Sequence, residues 1–203
     1  MIRSKLRVVG LGDSTTAGTP GFLSPVEHPP DGRGNPQSQY AFWMTRLHPG
    51  WVVLNRGVNG ERTDQVLDRL ATDAIRHQPD YLVVLAGVND VYQGYSNASI
   101  EANLSELYRQ AATSGARVLV ATILPFNIMT HDQATAIRML NRWIAARAEV
   151  SSLLFCDTNR VVADRSDPDR LAGSPDGLHP DLSGYRKMGE AIARVIETAE
   201  GGS

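Results

Sequence analysis

Five short apolar runs recur along the chain: "LRVVGL" at 6–11, "WVVLN" at 51–55, "YLVVLAG" at 81–87, "RVLVATI" at 117–123 and "LLFC" at 153–156. They are rich in Val, Leu and Ile, and "YLVVLAG" has no polar alternation, the pattern of a strand covered on both faces. Between and after them lie stretches of helical length and period at 38–48, 63–77, 99–115, 132–150 and 181–199. In the second of these, Val66, Leu67, Leu70, Ala74 and Ile75 make one apolar stripe. Gly115 offers a helix stop before the fourth strand, and Asp181 a cap for the last helix. Such alternation packs as a parallel sheet between two helical layers, because parallel strands need long right-handed crossovers. The predicted fold is α/β with five parallel strands.

One stretch departs from this rhythm. Thr19 to Ser38 holds five prolines and three glycines and has neither a helical nor an alternating period. It reads as a loop of a length uncommon inside compact domains. Directly after the first strand, it is placed to form a wall or lid over a site or an oligomer contact, with surface packing or disorder as the plain alternatives.

Composition narrows the function classes. The chain has 203 residues, 42% of them apolar, and no break that divides it, so 1–203 reads as one domain. Twenty Lys and Arg against 22 Asp and Glu give a net charge of -2, without the basic cluster of a nucleic-acid surface. The lone Cys156 has no disulfide partner and sits in an apolar run, as a buried strand residue would. No run approaches the length of a membrane helix, and Met1 leads into the first strand without an apolar leader, which points to a cytoplasmic protein.

In an open parallel sheet, ligands sit at the carboxyl ends of the strands. The residues with chemical promise fall there: Ser14 in "LGDSTTAG" after strand one, Gly57 after strand two and Asn89 after strand three. A fourth segment, the turn-rich "SPDGLHPDLSGY" at 174–185, opens the last helix.

Several chemistries compete for these residues. Taken alone, "GLGDSTTAG" is a set of ordinary turn residues. It carries two of the three glycines of a dinucleotide-binding turn, Gly10 and Gly12, but Thr15 replaces the third. Strand two ends in Asn55 and Arg56 where such a fold wants an acid, although Arg56 could hold a 2′-phosphate. A nucleophile elbow of the G-x-S-x-G type lacks its second glycine at Thr16. A two-metal phosphoesterase built on Asp13, Asn89 and His179 would need more carboxylates and histidines at strand ends.

Acyl transfer finds every part it needs: a hydroxyl, a base, a carboxylate to orient the base, and donors for an oxyanion. Ser14 is the candidate nucleophile. Of the five histidines, only His179 lies in a loop reaching the strand-end face with a carboxylate three residues before it. Pro180 keeps its backbone extended. Asp176 can turn through Gly177 to meet one imidazole nitrogen, though an aspartate there also suits an Asx-turn. Asp13 points away from its neighbour Ser14 and is expected to brace nearby loops. The N–H groups of Ser14 and Gly57 and the side-chain amide of Asn89 are the candidate oxyanion donors. No cofactor or metal enters this reading. Tyr92, Tyr95, Phe126, Ile128 and Met129 follow strands three and four and could line a partly apolar pocket.

Four blocks in order then resemble the SGNH hydrolase superfamily, the GDSL esterases and lipases. They are Gly12-Asp13-Ser14, "NRGVNG" around Gly57, Gly87-Val88-Asn89-Asp90 and Asp176-Gly177-Leu178-His179. The resemblance implies a flavodoxin-like three-layer α/β/α fold without a cofactor. It gives Ser14 the role of nucleophile, His179 that of base and Asp176 that of triad acid, with Ser14, Gly57 and Asn89 forming the oxyanion hole. The implied enzyme is a serine esterase that hydrolyses small-molecule esters of short-chain acids, aryl alcohols or acetylated sugars through an acyl-enzyme. Two other classes stay open on the sequence: an NADP-type nucleotide-binding module using the Gly10–Gly12 turn, and a non-catalytic binding protein on the same fold.

Overall fold

The computed structural model describes residues 5–201. Met1, on which the cytoplasmic expectation leans, lies outside them. All five apolar runs form strands of one parallel sheet: β1 (Arg7–Gly12), β4 (Val52–Gly57), β5 (Tyr81–Leu85), β6 (Arg117–Ala121) and β7 (Leu154–Cys156). Their order across the sheet is β4-β1-β5-β6-β7, so the first strand lies inside, paired with β4 on one side and β5 on the other.

Alternation along each strand divides the core in two, since successive side chains point to opposite faces. On one face Val9, Leu11, Leu82, Val84, Val118 and Val120 pack under α3 (Thr63–Asp68), α4 (Leu70–Asp73), α6 (Asn97–Thr113) and α7 (His131–Val150). On the other, Val8, Val83, Leu85, Leu119 and Ala121 meet α2 (Tyr40–Leu47), α8 (Thr158–Val162) and α9 (Leu182–Gly201). The result is the three-layer α/β/α arrangement. Cys156 sits within the second core, and burial pushes its thiol up to about 12. Among the described residues no helix is long and apolar enough to cross a membrane.

The predicted ends hold at Gly115, which follows α6 with φ +87°, and at Asp181, whose Oδ1 accepts the Gly184 N–H at 2.7 Å as α9 begins. The helix expected over 63–77 is instead divided into α3, α4 and a 3₁₀ turn at Ile75–His77. The break falls at Arg69, which leaves helical dihedrals for φ -100°, ψ 6°. Three further short helices, α1 (Ser14–Ala17), α5 (Val88–Tyr92) and α8, appear where the sequence suggested only connections.

The proline-rich stretch is built, not loose. Phe22–Leu23 (β2) pairs antiparallel with Arg33–Gly34 (β3), and a 3₁₀ turn follows at Pro36–Ser38. It is tied at both ends. The Tyr185 hydroxyl donates to the Thr19 carbonyl at 2.7 Å, and the Trp43 indole N–H donates to the Gln37 carbonyl at 2.8 Å.

Candidate active site

The parallel register brings the site together. Gly12 at the end of β1 lies opposite Gly57 of β4 and Leu85 of β5, so the segments leaving these strands emerge side by side. After β1 the chain turns at once into α1. Asp13 caps it, Oδ1 accepting the Thr15 N–H at 2.9 Å, and this presents Ser14 as the first helical residue. Asp13 therefore braces its own turn and not the neighbouring loops. Ser14 is 4% exposed, and its N–H has no acceptor among the described residues.

Across the sheet edge, the loop before α9 delivers His179. Its Nε2 stands 2.9 Å from Ser14 Oγ, and its Nδ1 2.7 Å from Asp176 Oδ2. Asp176 makes the contacts of both readings at once, its two oxygens dividing them. Oδ1 accepts the N–H groups of Leu178 at 2.9 Å and His179 at 2.8 Å, the hydrogen bonds of an Asx-turn, while Oδ2 meets the ring. Gly177 takes φ +79° to make the turn, and its carbonyl accepts the Asn127 N–H at 2.7 Å. Ser174 Oγ closes the loop on the other side, donating to the His179 carbonyl at 2.7 Å.

Burial works to raise the Asp176 carboxyl, but hydrogen bonds from the His179 ring and from the two backbone N–H groups outweigh it and hold the group below its usual value. It is thus ionised at neutral pH. An ionised acceptor keeps the Nδ1 proton, which leaves Nε2 as an acceptor facing the Ser14 hydroxyl. A hydroxyl so placed can pass its proton to the ring as it attacks, and the carboxylate steadies the charge that forms.

Asn89 sits on α5, with Nδ2 donating to the Glu61 carbonyl at 2.9 Å and a second amide proton left over. The next residue, Asp90, has a different task. It is 2% exposed and accepts both the Thr63 N–H (2.9 Å) and hydroxyl (2.6 Å), anchoring the start of α3.

Gly57 does not meet its expectation. It is the last residue of β4, and its N–H already donates to Asn55 Oδ1 at 3.0 Å. Its carbonyl accepts the Ser24 hydroxyl at 2.5 Å, and a Cβ there would run into the Ala17 backbone. The residue is packed beneath α1, and its N–H is not free for a ligand. The loop that does reach the site lies two residues on, at Asn59. Its N–H is held by Glu27 Oε1 at 2.9 Å, so the proline-rich stretch braces the wall of the site without covering it. Gly60 follows with φ +78° and open space around it, and its N–H has no acceptor among the described residues. The Asn59-Gly60 pair is a turn signal in the sequence that could have marked this position.

Ser14 and His179 open into a cavity of about 160 Å³ lined also by Thr15, Asn59, Val88, Asn89, Tyr92, Phe126 and Leu178. Of the aromatic candidates, Tyr92 and Phe126 line it and meet edge to face, centroids 5.8 Å apart. Tyr95 instead lies under the Arg62 guanidinium, Ile128 is exposed, and Met129 packs on the first core. The residues of the rival readings are engaged elsewhere. Arg56, the candidate phosphate ligand, donates to Asp73 Oδ1 at 2.8 Å. Among the described residues no three His, Cys, Asp or Glu side chains gather so as to hold a metal ion.

Comparison with known proteins agrees with this architecture. The chain is 26% identical over 161 residues to an acetylxylan esterase of Geobacillus stearothermophilus, covering 72% of this chain and 73% of that protein. Among solved structures, the aryl esterase of M. smegmatis superposes with a TM-score of 0.74 at 20% identity, covering 95% of this chain and 99% of that one. A carbohydrate acetylesterase from Sinorhizobium meliloti gives 0.74 at 20% identity, with 96% and 100% covered. These likenesses establish the fold. The model of the GDSL-like lipase/acylhydrolase family matches residues 11–187, and the chain belongs to that family of ester-hydrolysing enzymes.

Proposed function

We propose that the protein is a serine esterase for small esters of short-chain acids, working through an acyl-enzyme on Ser14. The observation that carries this is the unbroken relay from Ser14 Oγ through both ring nitrogens of His179 to Asp176 Oδ2, at 2.9 and 2.7 Å. Ser14 Oγ attacks the ester carbonyl carbon while His179 Nε2 takes its proton. The tetrahedral intermediate collapses with loss of the alcohol, which receives that proton from Nε2. Water then attacks the acyl-Ser14 carbonyl and gives a proton to Nε2. The carboxylic acid departs, and Ser14 recovers its hydrogen.

The developing oxyanion needs donors fixed in advance, each typically worth about 3 kcal/mol. We assign these to the Ser14 N–H, the second amide proton of Asn89, and the Gly60 N–H in place of Gly57. The Glu61 carbonyl that holds Asn89 directly follows Gly60, which keeps the last two near each other.

Cavity size supports a short acyl group. Pockets that engulf drug-sized ligands run to roughly 300–1,000 Å³, whereas this one offers about 160 Å³ with Val88, Phe126 and Leu178 on its walls. The alcohol half would then lie toward the half-exposed Tyr92, and aryl and acetylated-sugar esters both suit an open aromatic face. Ser14→Ala, assayed with 4-nitrophenyl esters of rising acyl length, tests the reading. The wild type should favour acetate to butyrate over octanoate. The variant should keep its melting temperature and lose at least ~10⁴-fold in kcat. Near-wild-type turnover by folded Ser14→Ala overturns the assignment.

A further inference from the structure

We infer that Arg69 is a positioning residue for acyl transfer, clamping together the strand-end segments that carry the nucleophile and the oxyanion donors; this rests on the serine-esterase reading above. Arg69 does not line the cavity. Its guanidinium instead lies behind the site, 12% exposed, and is used at every nitrogen. Nη2 donates to the Gly12 carbonyl at 2.7 Å, Nη1 to the Arg56 carbonyl at 2.6 Å, and Nε to Glu61 Oε2 at 2.5 Å. Asp73 Oδ2 stands 3.4 Å from Nη1.

Each acceptor belongs to a different part of the machinery. Gly12 is two residues before Ser14. Arg56 precedes the turn that presents Asn59 and Gly60. Glu61 follows Gly60, and its own carbonyl receives the Asn89 amide at 2.9 Å. One planar group thus sets β1, the loop after β4 and, through Glu61, α5 in fixed relation. The helical path of 63–77 breaks at this residue, where its side chain reaches across to the sheet.

The charge arrangement explains why the clamp is tolerable inside the protein. Arg69 and Arg56 face Glu61 and Asp73, all four side chains no more than 15% exposed, in three cation–carboxylate contacts. Such a cluster holds only while every member is present. A lysine carries the charge but has one nitrogen on a flexible stem, and it cannot bond two carbonyls and a carboxylate in the directions a guanidinium fork provides. Reactant groups displaced by about 1 Å can cost on the order of 10²-fold in rate. Loss of the fork should therefore appear in turnover.

Arg69→Lys, Arg69→Met and Glu61→Gln, measured beside Ser14→Ala with 4-nitrophenyl acetate from pH 5 to 9, test the inference. The result expected is a fall in kcat of about 10- to 100-fold for both Arg69 variants, smaller for Glu61→Gln, with KM within about threefold of wild type. Lysine should not rescue. Folded Arg69→Lys or Glu61→Gln with wild-type kcat, or a loss confined to KM, overturns the positioning role, and these two variants decide it should Arg69→Met fail to fold. If Ser14→Ala retains activity, the esterase mechanism itself fails. If Ser14→Ala is inactive while the Arg69 and Glu61 variants are as fast as wild type, only the clamp does.

Discussion

Asp13 sits next to the nucleophile at 1% exposure, and burial pushes its carboxyl up to about 7 from the ordinary 3.8, against the lowering pull of the Thr15 hydrogen bonds and of Arg69. Between those two values the folded chain holds a proton that the unfolded chain has released. Stability from this group is accordingly full below pH 3.8, is lost as pH rises, and levels off above about 7. A gap of about three pH units, at about 1.4 kcal/mol each, sets the loss at no more than ~4 kcal/mol. Asp13→Asn isolates it, because asparagine keeps an oxygen for the Thr15 N–H that caps α1 but does not titrate. Urea unfolding of both proteins at pH 4.5, 6 and 8 is the assay, and the quantity to follow is the difference between them, in which other titrating groups cancel. The asparagine variant should match wild type within about 1 kcal/mol at pH 4.5 and exceed it progressively toward pH 8. A difference that does not change with pH would refute the reasoning. So would one that grows in favour of wild type, since Asp13 would then be an ordinary ionised carboxylate held by Arg69.

Three further outcomes bear on the site. Asn89→Ala should lower kcat by about 10²–10³ with little change in KM, because the lost donor acts on charge that appears only in the transition state; an unchanged kcat removes Asn89 from the oxyanion hole. Gly57→Ala should destabilise the fold by roughly 1–3 kcal/mol or more, its Cβ meeting the Ala17 backbone, while Gly60→Ala costs about 1–2 kcal/mol for a left-handed φ of +78° in open space. Melting curves that rank the two the other way contradict the placement of these glycines. Asp176→Asn should cost on the order of 10⁴-fold in kcat, because an amide in place of the carboxylate no longer holds the His179 ring with its proton on Nδ1. An unchanged kcat in folded Asp176→Asn removes the carboxylate from the orienting role.

How far the sequence was legible depended on the range of the interaction that decides each feature. The inner strands β1, β5 and β6 could be read because burial on both faces imposes continuous apolar runs, the partly buried edge strands β4 and β7 keep short ones, and the sheet inherited its parallel pairing from the helices between them. The Asp176–His179 pair was legible because three residues and a left-handed Gly177 settle it locally. The Gly57 assignment failed for an instructive reason. The apolar run of strand two ends at Asn55, but its backbone pairing with β1 continues through Arg56 to Gly57 opposite Gly12. Hydrogen bonds between main chains do not register in a hydrophobic pattern. A donor counted from the apolar edge is consequently placed too early, and the N–H proposed in its place lies in the loop beyond, at Gly60.

The broken helix over 63–77 has the same origin at longer range. Nothing near Arg69 in the sequence announces that its side chain will reach the Gly12 carbonyl, 57 positions away. The apolar stripe of Val66, Leu67, Leu70, Ala74 and Ile75 was correct, and the helix still bends away from regularity where a polar side chain has distant carbonyls to satisfy. In this protein the apolar pattern sets where the layers lie, while polar side chains around the site, Arg69, Glu61 and Asp90 behind it and Glu27 at its wall, set how the strand ends meet. On the clamp proposed above, catalysis draws on that second set of contacts. Substitutions among those four residues should therefore change turnover at a given loss of stability more than truncations of equal cost in the helix-facing core, such as Leu104→Ala, which removes buried methyl groups from the first core. If folded core and clamp variants matched for melting temperature lost activity equally, the separation between packing and alignment drawn from the two kinds of contact would not hold.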